Sequence, residues 1–183
     1  MIISFYFISL LCISIYASSE VESEISNQDP MKDKMKIEYE SIGVFHSELT
    51  PATGAPRQGS LQPENQAVIE IYDEYAKALH SLDDFEYIIV LYHLDKSRGW
   101  HAMVSPPGSK RAFGMFATRT PNRPNPIGFG VIKLDKMEGT RLYVSGVDAY
   151  DGTPVLDIKP WLPSIDCPSD PAGRELEQEL GID

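Results

Sequence analysis

Cysteine is nearly missing from this chain of 183 residues, which contains only Cys12 and Cys167. Two thiols build neither a disulfide scaffold nor a cysteine-based zinc site. Positive charge is also short: 16 Lys and Arg stand against 27 Asp and Glu, for a formal charge of −11. Over the whole chain that is the reverse of a nucleic-acid binder's balance. Histidine is scarce as well, and His46, His80, His93 and His101 fall at no metal-ligand spacing. Gly128-Phe129-Gly130 follows a loop and has Lys133 where a third glycine should stand, so there is no dinucleotide fingerprint. Neither a Gly-x-x-x-x-Gly-Lys phosphate loop nor a Gly-x-Ser-x-Gly elbow occurs. What remains is a globular composition, 42% hydrophobic and 23% charged, of a length that suits one domain.

The first residues read differently from the rest. Ile2 to Tyr16 is apolar apart from serines, and the first basic residue is Lys32. The stretch is shorter than the roughly 20 apolar residues a membrane span needs. It is similar to the apolar core of a signal peptide, with Ala17-Ser18-Ser19 as a small-residue cleavage site. The rival reading is a start codon placed too early, with Met31 or Met35 beginning the protein. Both readings set residues 1–34 apart as a leader plus acidic linker, 35–166 as the domain and 167–183 as a tail. The first would make the protein secreted. The second suits the cytoplasm, as do the lone Cys167 and the absence of an Asn-x-Ser/Thr acceptor.

Along the body, Ile37 to His46 reads as a strand around Ile42, Val44 and Phe45. Thr50 to Gln62, with Pro51, Gly54, Pro56 and Gly59, is a loop long enough to suspect of function. Residues 67–72 form a short strand passing into a helix over 73–82. Phe85 to His93, β-branched and aromatic throughout, is the clearest strand. Further strands are expected at Phe113 to Ala117, Ile127 to Leu134, Leu142 to Val147 and Val155 to Ile158, with a hairpin turn at Glu138-Gly139-Thr140 and a terminal helical turn over 174–180. Short, closely spaced strands with one helix predict a mostly β fold: a small antiparallel barrel with one short helix and long loops.

The positive charge is not spread evenly. Between Lys96 and Leu134 there are seven basic residues (Lys96, Arg98, Lys110, Arg111, Arg119, Arg123 and Lys133) and no acidic one. Such a stripe focuses polyanions on one surface of an otherwise acidic protein. Within it, Pro121, Pro124 and Pro126 stiffen a loop that carries Arg119 and Arg123. Stiffness lowers the ordering cost of binding, and guanidinium groups suit carboxylate or phosphate. The alternative is a proline-rich turn tied down by arginine–carbonyl hydrogen bonds, and residue physics leaves both open. Asp148, Asp151 and Asp157 place three carboxylates around a second turn, without a histidine or the spacing of a calcium loop, so no metal site is expected.

The run Phe116-Ala-Thr-Arg-Thr-Pro-Asn-Arg-Pro-Asn-Pro-Ile-Gly-Phe-Gly130, followed by Val144-Ser-Gly-Val-Asp-Ala-Tyr-Asp-Gly-Thr-Pro-Val-Leu-Asp-Ile-Lys-Pro160, closely resembles the TsaA-like (TrmO) family. The resemblance extends to Ile42-Gly-Val-Phe-His-Ser47, Pro56-Arg-Gln58, Leu82-Asp-Asp-Phe85 and Gly99-Trp100, and covers residues 37–166. It implies a small dimerising β-barrel in the cytoplasm. The implied activity is S-adenosyl-L-methionine-dependent N6-methylation of threonylcarbamoyl-adenosine at tRNA position 37, with the tRNA anticodon stem-loop and a second copy of the chain as partners. Family cofactor-site positions match here at Pro56, Arg57, Gln58, His93, Leu94, Arg119, Phe129, Ala149, Tyr150, Asp151 and Gly152. Two departures fall in that site. Phe129-Gly130 stands where members often have Leu or Met then Ser, and Leu94 replaces a commonly polar residue.

N6 of adenine is a weak nucleophile, so a nearby acceptor should take its proton. By residue type, Asp151 or a turn carbonyl is the candidate acceptor and Tyr150 the ring that faces the adenine. Arg123, Lys110 and Arg111 are the candidate tRNA contacts. Competing readings are the same fold and cofactor acting on another RNA or a small molecule, and a non-catalytic RNA-binding module.

Overall fold

Alternation of buried and open residues along most of the strands builds a barrel in the computed structural model, which describes residues 35–170, 173–175 and 177. The chain divides into two units, Met1–Glu38 and Tyr39–Asp183. In the first, Lys36 pairs with Glu38 and the described residues carry no regular element. The leader expected over 1–34 lies outside the described residues, as does much of the tail; Gly173, Arg174, Glu175 and Glu177 are helical.

The described residues of the second unit hold eight strands: β1 (Gly43–Ser47), β2 (Gln66–Ile71), β3 (Tyr87–His93), β4 (Met103–Val104), β5 (Phe113–Gly114), β6 (Ile127–Glu138), β7 (Arg141–Ser145) and β8 (Pro154–Pro160). Six of them close a barrel in the order β1-β2-β7-β6-β3-β8, every pairing antiparallel. β4 and β5 form a separate two-stranded ribbon. The small antiparallel barrel expected from the sequence is therefore present.

Closure depends on β6, which is longer than the expected Ile127 to Leu134. Its first half pairs with β3, from Ile127 opposite His93 to Lys133 opposite Tyr87. Its second half pairs with β7, and the register shifts between Leu134 and Lys136. That extra residue bends one strand across two neighbours, the usual work of a bulge. The barrel interior is filled by Phe45, Ile69, Ile88, Val90, Ile132, Leu142, Val144 and Val155, all essentially inaccessible to solvent. Each such side chain contributes about 1.5–3 kcal/mol by leaving water.

Two expectations need correcting. The helix expected over 73–82 is a 3₁₀ segment, Asp73–Leu79, held by bonds such as Tyr75 N to Tyr72 O (2.9 Å). It buries only Leu79, and Ser81 then turns left-handed at φ 65°. With one buried side chain, seven residues do not repay the nucleation of an α-helix. The strand expected at Phe113 to Ala117 ends at Gly114. The Met115 amide bonds to Ala102 O (2.9 Å), its side chain turns into the protein, and Met115–Ala117 coils into a 3₁₀ turn. A short α-helix, α1 (Pro163–Asp166), follows β8.

Candidate active site

One end of the barrel gathers the C-terminal end of β3, the start of β6 and the turn before β8. β3 alternates Ile88, Val90 and Tyr92 inward. Tyr92 is the last of these, and its cross-strand partner on β6 is Gly128. A β-carbon at 128 would stand 2.1 Å from the Tyr92 ring, so only glycine lets the ring lie there. Phe45 meets the same ring edge-on, with centroids 5.6 Å apart. So fixed, the phenol extends past the core and donates to Asp148 Oδ1 at 2.6 Å.

The long loop after β1 reaches the same end. A β-carbon at Gly59 would stand 2.0 Å from the Gly146 carbonyl oxygen, an approach that no other residue allows. This crossing brings Arg57 and Gln58 beside the Asp148 turn. The proline loop closes the third side: Leu94 N bonds to Pro126 O (2.8 Å), and Asn122 Oδ1 accepts from Ser97 Oγ (3.4 Å) and Arg98 N (3.1 Å). Arg119 donates from Nη1 to Gln58 Oε1, which joins the two loops.

These segments surround a cavity of about 650 Å³, a size usual for small-molecule sites. Its wall includes Pro56, Arg57, Gln58, Tyr92, Leu94, Asp95, Arg119, Arg123, Phe129, Asp148, Ala149 and Tyr150. Cationic and anionic groups thus open on one space beside apolar surface. Burial pushes the Asp148 carboxyl above its ordinary range; the Tyr92 hydroxyl, the Gly59 amide and the Arg119 charge hold it back. Burial, then the charge of Asp148, pushes the Tyr92 phenol far up, so it remains a donor at any physiological pH.

The sequence-derived residues do not all fall in one place. Pro56, Arg57, Gln58, Leu94, Arg119, Phe129, Ala149, Tyr150 and Arg123 line the cavity. His93, at the end of β3, and Gly152 are outside its lining. Asp151 turns the other way: its Oδ1 accepts from Ser47 N (3.2 Å), and it lines a second, acidic cavity of about 590 Å³ with His46, Glu48, Glu64 and Asp135. Asp157 pairs with its neighbour Lys159. Lys110 and Arg111 lie in the β4–β5 connection, where Arg111 stacks over Phe113 at 4.5 Å. Arg123 meets the alternative envisaged for it, donating to Thr118 O at 2.9 Å while still lining the cavity.

Sequence reasoning passed over Tyr92 and Asp95, and weighed Asp148 only as one of three turn carboxylates. The period of β3, which sends every second residue inward as far as Tyr92, and the glycine opposite it were the available signals.

Barrel and cavity together define the class: a small all-antiparallel barrel whose loops form a mixed-charge cavity at one end. Residues 44–167 match the tRNA-methyltransferase O N-terminal domain, and the chain belongs to that family. It is 43% identical over 134 residues to an S-adenosyl-L-methionine-binding protein of Archaeoglobus fulgidus, covering 73% of this chain and 96% of that one. It is 39% identical over 138 residues to the tRNA (adenine(37)-N6)-methyltransferase of Mus musculus, covering 70% of this chain and 32% of that one. The crystal structure of TrmO from Pseudomonas aeruginosa superposes with a TM-score of 0.62 at 33% identity, covering 74% of this chain and 60% of that one. The chain thus spans nearly all of the archaeal relative and about a third of the mouse enzyme.

Proposed function

We propose that this chain is an S-adenosyl-L-methionine-dependent methyltransferase acting on N6 of adenosine 37 in tRNA, with threonylcarbamoyl-adenosine as the form it methylates. Residues 35–166 are the methyltransferase unit in this reading. The names borne by the archaeal and mouse relatives support cofactor and substrate class. The observation that carries the reading is one cavity that presents Arg119 on a stiff loop and the half-buried Asp148 carboxylate together.

The lining fits such a cofactor. Arg57 and Arg119 suit its carboxylate, Asp95 and Asp148 its positive charges, and Leu94 and Phe129 its apolar surface. When bound, S-adenosyl-L-methionine supplies an electrophilic methyl group on a sulfonium. The protein's part is to align the groups, which is worth several kcal/mol. Asp148, raised by burial and held by Tyr92, takes the N6 proton; Asp151, bonded to Ser47 N beside the other cavity, is less well placed. Tyr150 faces the adenine, and Arg123 meets the threonyl carboxylate or the RNA backbone. Lys110 and Arg111 add phosphate contacts on the anticodon stem-loop.

The working unit in this reading is a homodimer in the cytoplasm. On its outward face β6 exposes Ile127, Phe129 and Val131 in a row, opposite Leu91 and Ile89 of β3. Phe129 belongs to both this row and the cavity wall, so the apolar face is continuous with the ligand site. Among the described residues no helix is long and apolar enough to cross a membrane.

Nucleoside mass spectrometry of tRNA from a deletion strain tests the activity, with calorimetry of the purified protein against S-adenosyl-L-methionine. Loss of the N6-methyl nucleoside and its return on complementation are expected. Absence of binding heat would leave an RNA-binding module. Binding heat with unchanged tRNA would point to another substrate.

A further inference from the structure

The acid-free segment carries two open aromatic residues that the cavity does not use. Phe116 is 81% exposed and Trp100 52% exposed. Their backbones are neighbours, because the Met115 amide bonds to Ala102 O at 2.9 Å and thereby joins the two stretches. Asn122 ties the Trp100 loop to the proline loop a second time, through Ser97 Oγ and Arg98 N. Phe116 is presented by design of its surroundings: Met115 beside it is buried, the 3₁₀ turn fixes the backbone, and Thr118 Oγ1 closes that turn on Met115 O at 2.8 Å. The Arg123 guanidinium lies 5.8 Å from the ring centroid. A large apolar ring kept in water beside a cation, on a protein that buries Phe45 and Phe113 wholly or in part, calls for an occupant.

We infer that Phe116 and Trp100 are a stacking platform for unpaired bases of the substrate RNA, with the surrounding basic residues holding its phosphates. The inference rests on the proposed tRNA substrate and adds to it a recognition surface for single-stranded loop nucleotides. Charge selects the occupant: seven basic residues and no acidic one lie between Lys96 and Leu134, whereas the remainder of the chain is strongly acidic. A polyanion with exposed π-faces satisfies both the charge and the rings, and RNA is read mainly through such unstacked loop bases. The platform borders the cavity, since Ser97, Thr118, Asn122 and Arg123 of the same segments line it. Bases flanking the target would therefore stack on the platform while the target base enters the cavity, so the rings hold the target nucleotide's neighbours apart.

The test uses the full chain, an anticodon stem-loop oligonucleotide with 2-aminopurine in the loop, and a fully paired duplex of equal length. Phe116→Leu should weaken stem-loop binding about fivefold to a hundredfold. It should abolish the quenching of 2-aminopurine, leave the salt slope unchanged and leave S-adenosyl-L-methionine binding intact. Phe116→Tyr should restore affinity and quenching. Unchanged affinity in the leucine variant, or no preference of the parent protein for stem-loop over duplex, overturns the inference. So does a drop in sedimentation coefficient in Phe116→Leu, which would make the face a contact between copies of the chain. Methyl transfer to tRNA is measured in parallel. Phe116-dependent RNA binding without any transfer would sink the proposed activity and leave the platform standing.

Discussion

The Tyr92 hydroxyl donates a 2.6 Å hydrogen bond to Asp148 Oδ1, linking the inner face of β3 to the turn that precedes β8. The bond serves two ends. It satisfies a phenol that is only 3% exposed, and it opposes the burial that would otherwise drive the carboxyl higher. The carboxyl that faces the cavity is thus held by a residue of the hydrophobic core.

Asp148→Asn should therefore separate stability from activity. A carboxyl whose folded-state pKa lies above its ordinary 3.8 stabilises the fold below pH 3.8 and loses that contribution as pH rises through the folded value. At neutral pH the parent protein carries a half-buried ionised group that the asparagine variant lacks, while Tyr92 keeps an acceptor. The variant should melt higher at pH 7 and show a flatter melting profile upward from about pH 4. Methyl transfer should fall about 10²–10⁴-fold. Thermal melts across pH, paired with single-turnover rates, check both halves; a lower melting temperature at pH 7 would refute the burial argument.

Tyr92→Phe makes a complementary case. Removing the hydroxyl takes away a bond that holds Asp148 down, so the carboxyl should rise further. The acid limb of the rate profile should move to higher pH, and the plateau should change less than in Asp148→Asn. An unshifted limb would mean that another group governs it.

Gly128→Ala probes the packing behind that contact. The new β-carbon would meet the Tyr92 ring at 2.1 Å, and the ring is also packed edge-on against Phe45. Overpacking of this kind costs about 1–3 kcal/mol, to be read by chemical denaturation. Cofactor affinity should fall with it, because the displaced phenol no longer supports Asp148. Gly114→Ala is the control, since a β-carbon there meets nothing within 4 Å.

Val131 offers a test of the dimer that spares the cavity. It is exposed on the outward face of β6, between Phe129 and Lys133, and does not line the cavity. Val131→Lys should keep the melting temperature within a degree or two of the parent and halve the sedimenting mass at micromolar concentration. A variant that stays dimeric would place the self-contact elsewhere.

How far the sequence could be read depended on how local each feature is. β3 was legible because its alternation and β-branched content are contained within nine residues. The hairpin at Gly139 was legible for the same reason. The extra length of β6 was not, because the shift between Leu134 and Lys136 interrupts the period that announces a strand. The 3₁₀ segment at Asp73–Leu79 shares apolar spacing with a short α-helix and differs in how little it buries. Most of the cavity wall was found through the family resemblance. That Asp148 faces the cavity while Asp151 lines the other one was beyond both routes: it depends on Gly59 crossing Gly146 and on Ser47 capturing Asp151, contacts some 90 to 100 residues apart in the chain.

The two arginines of the proline loop give the last prediction. From sequence, Arg119 suits the cofactor and Arg123 the RNA, with separable effects. The hydrogen bonds alter that expectation in one respect. Arg119 bonds to the Gln58 side chain, so Arg119→Ala removes a ligand-facing cation and a link between loops, while the prolines keep the backbone path. It should weaken S-adenosyl-L-methionine binding about tenfold to a hundredfold and leave RNA affinity within about twofold, as loss of a charge-assisted contact predicts. Arg123, by contrast, donates to Thr118 O, one residue from Arg119. Arg123→Ala should loosen the loop that carries Arg119 and so weaken both ligands, with the salt slope for RNA lowered by about one. Arg123→Lys retains charge without the planar fork, and should recover the salt slope but not the cofactor affinity. Titrating both ligands against all three variants decides the matter. If Arg123→Ala lowers RNA affinity alone, its bond to Thr118 is incidental and the two side chains act independently.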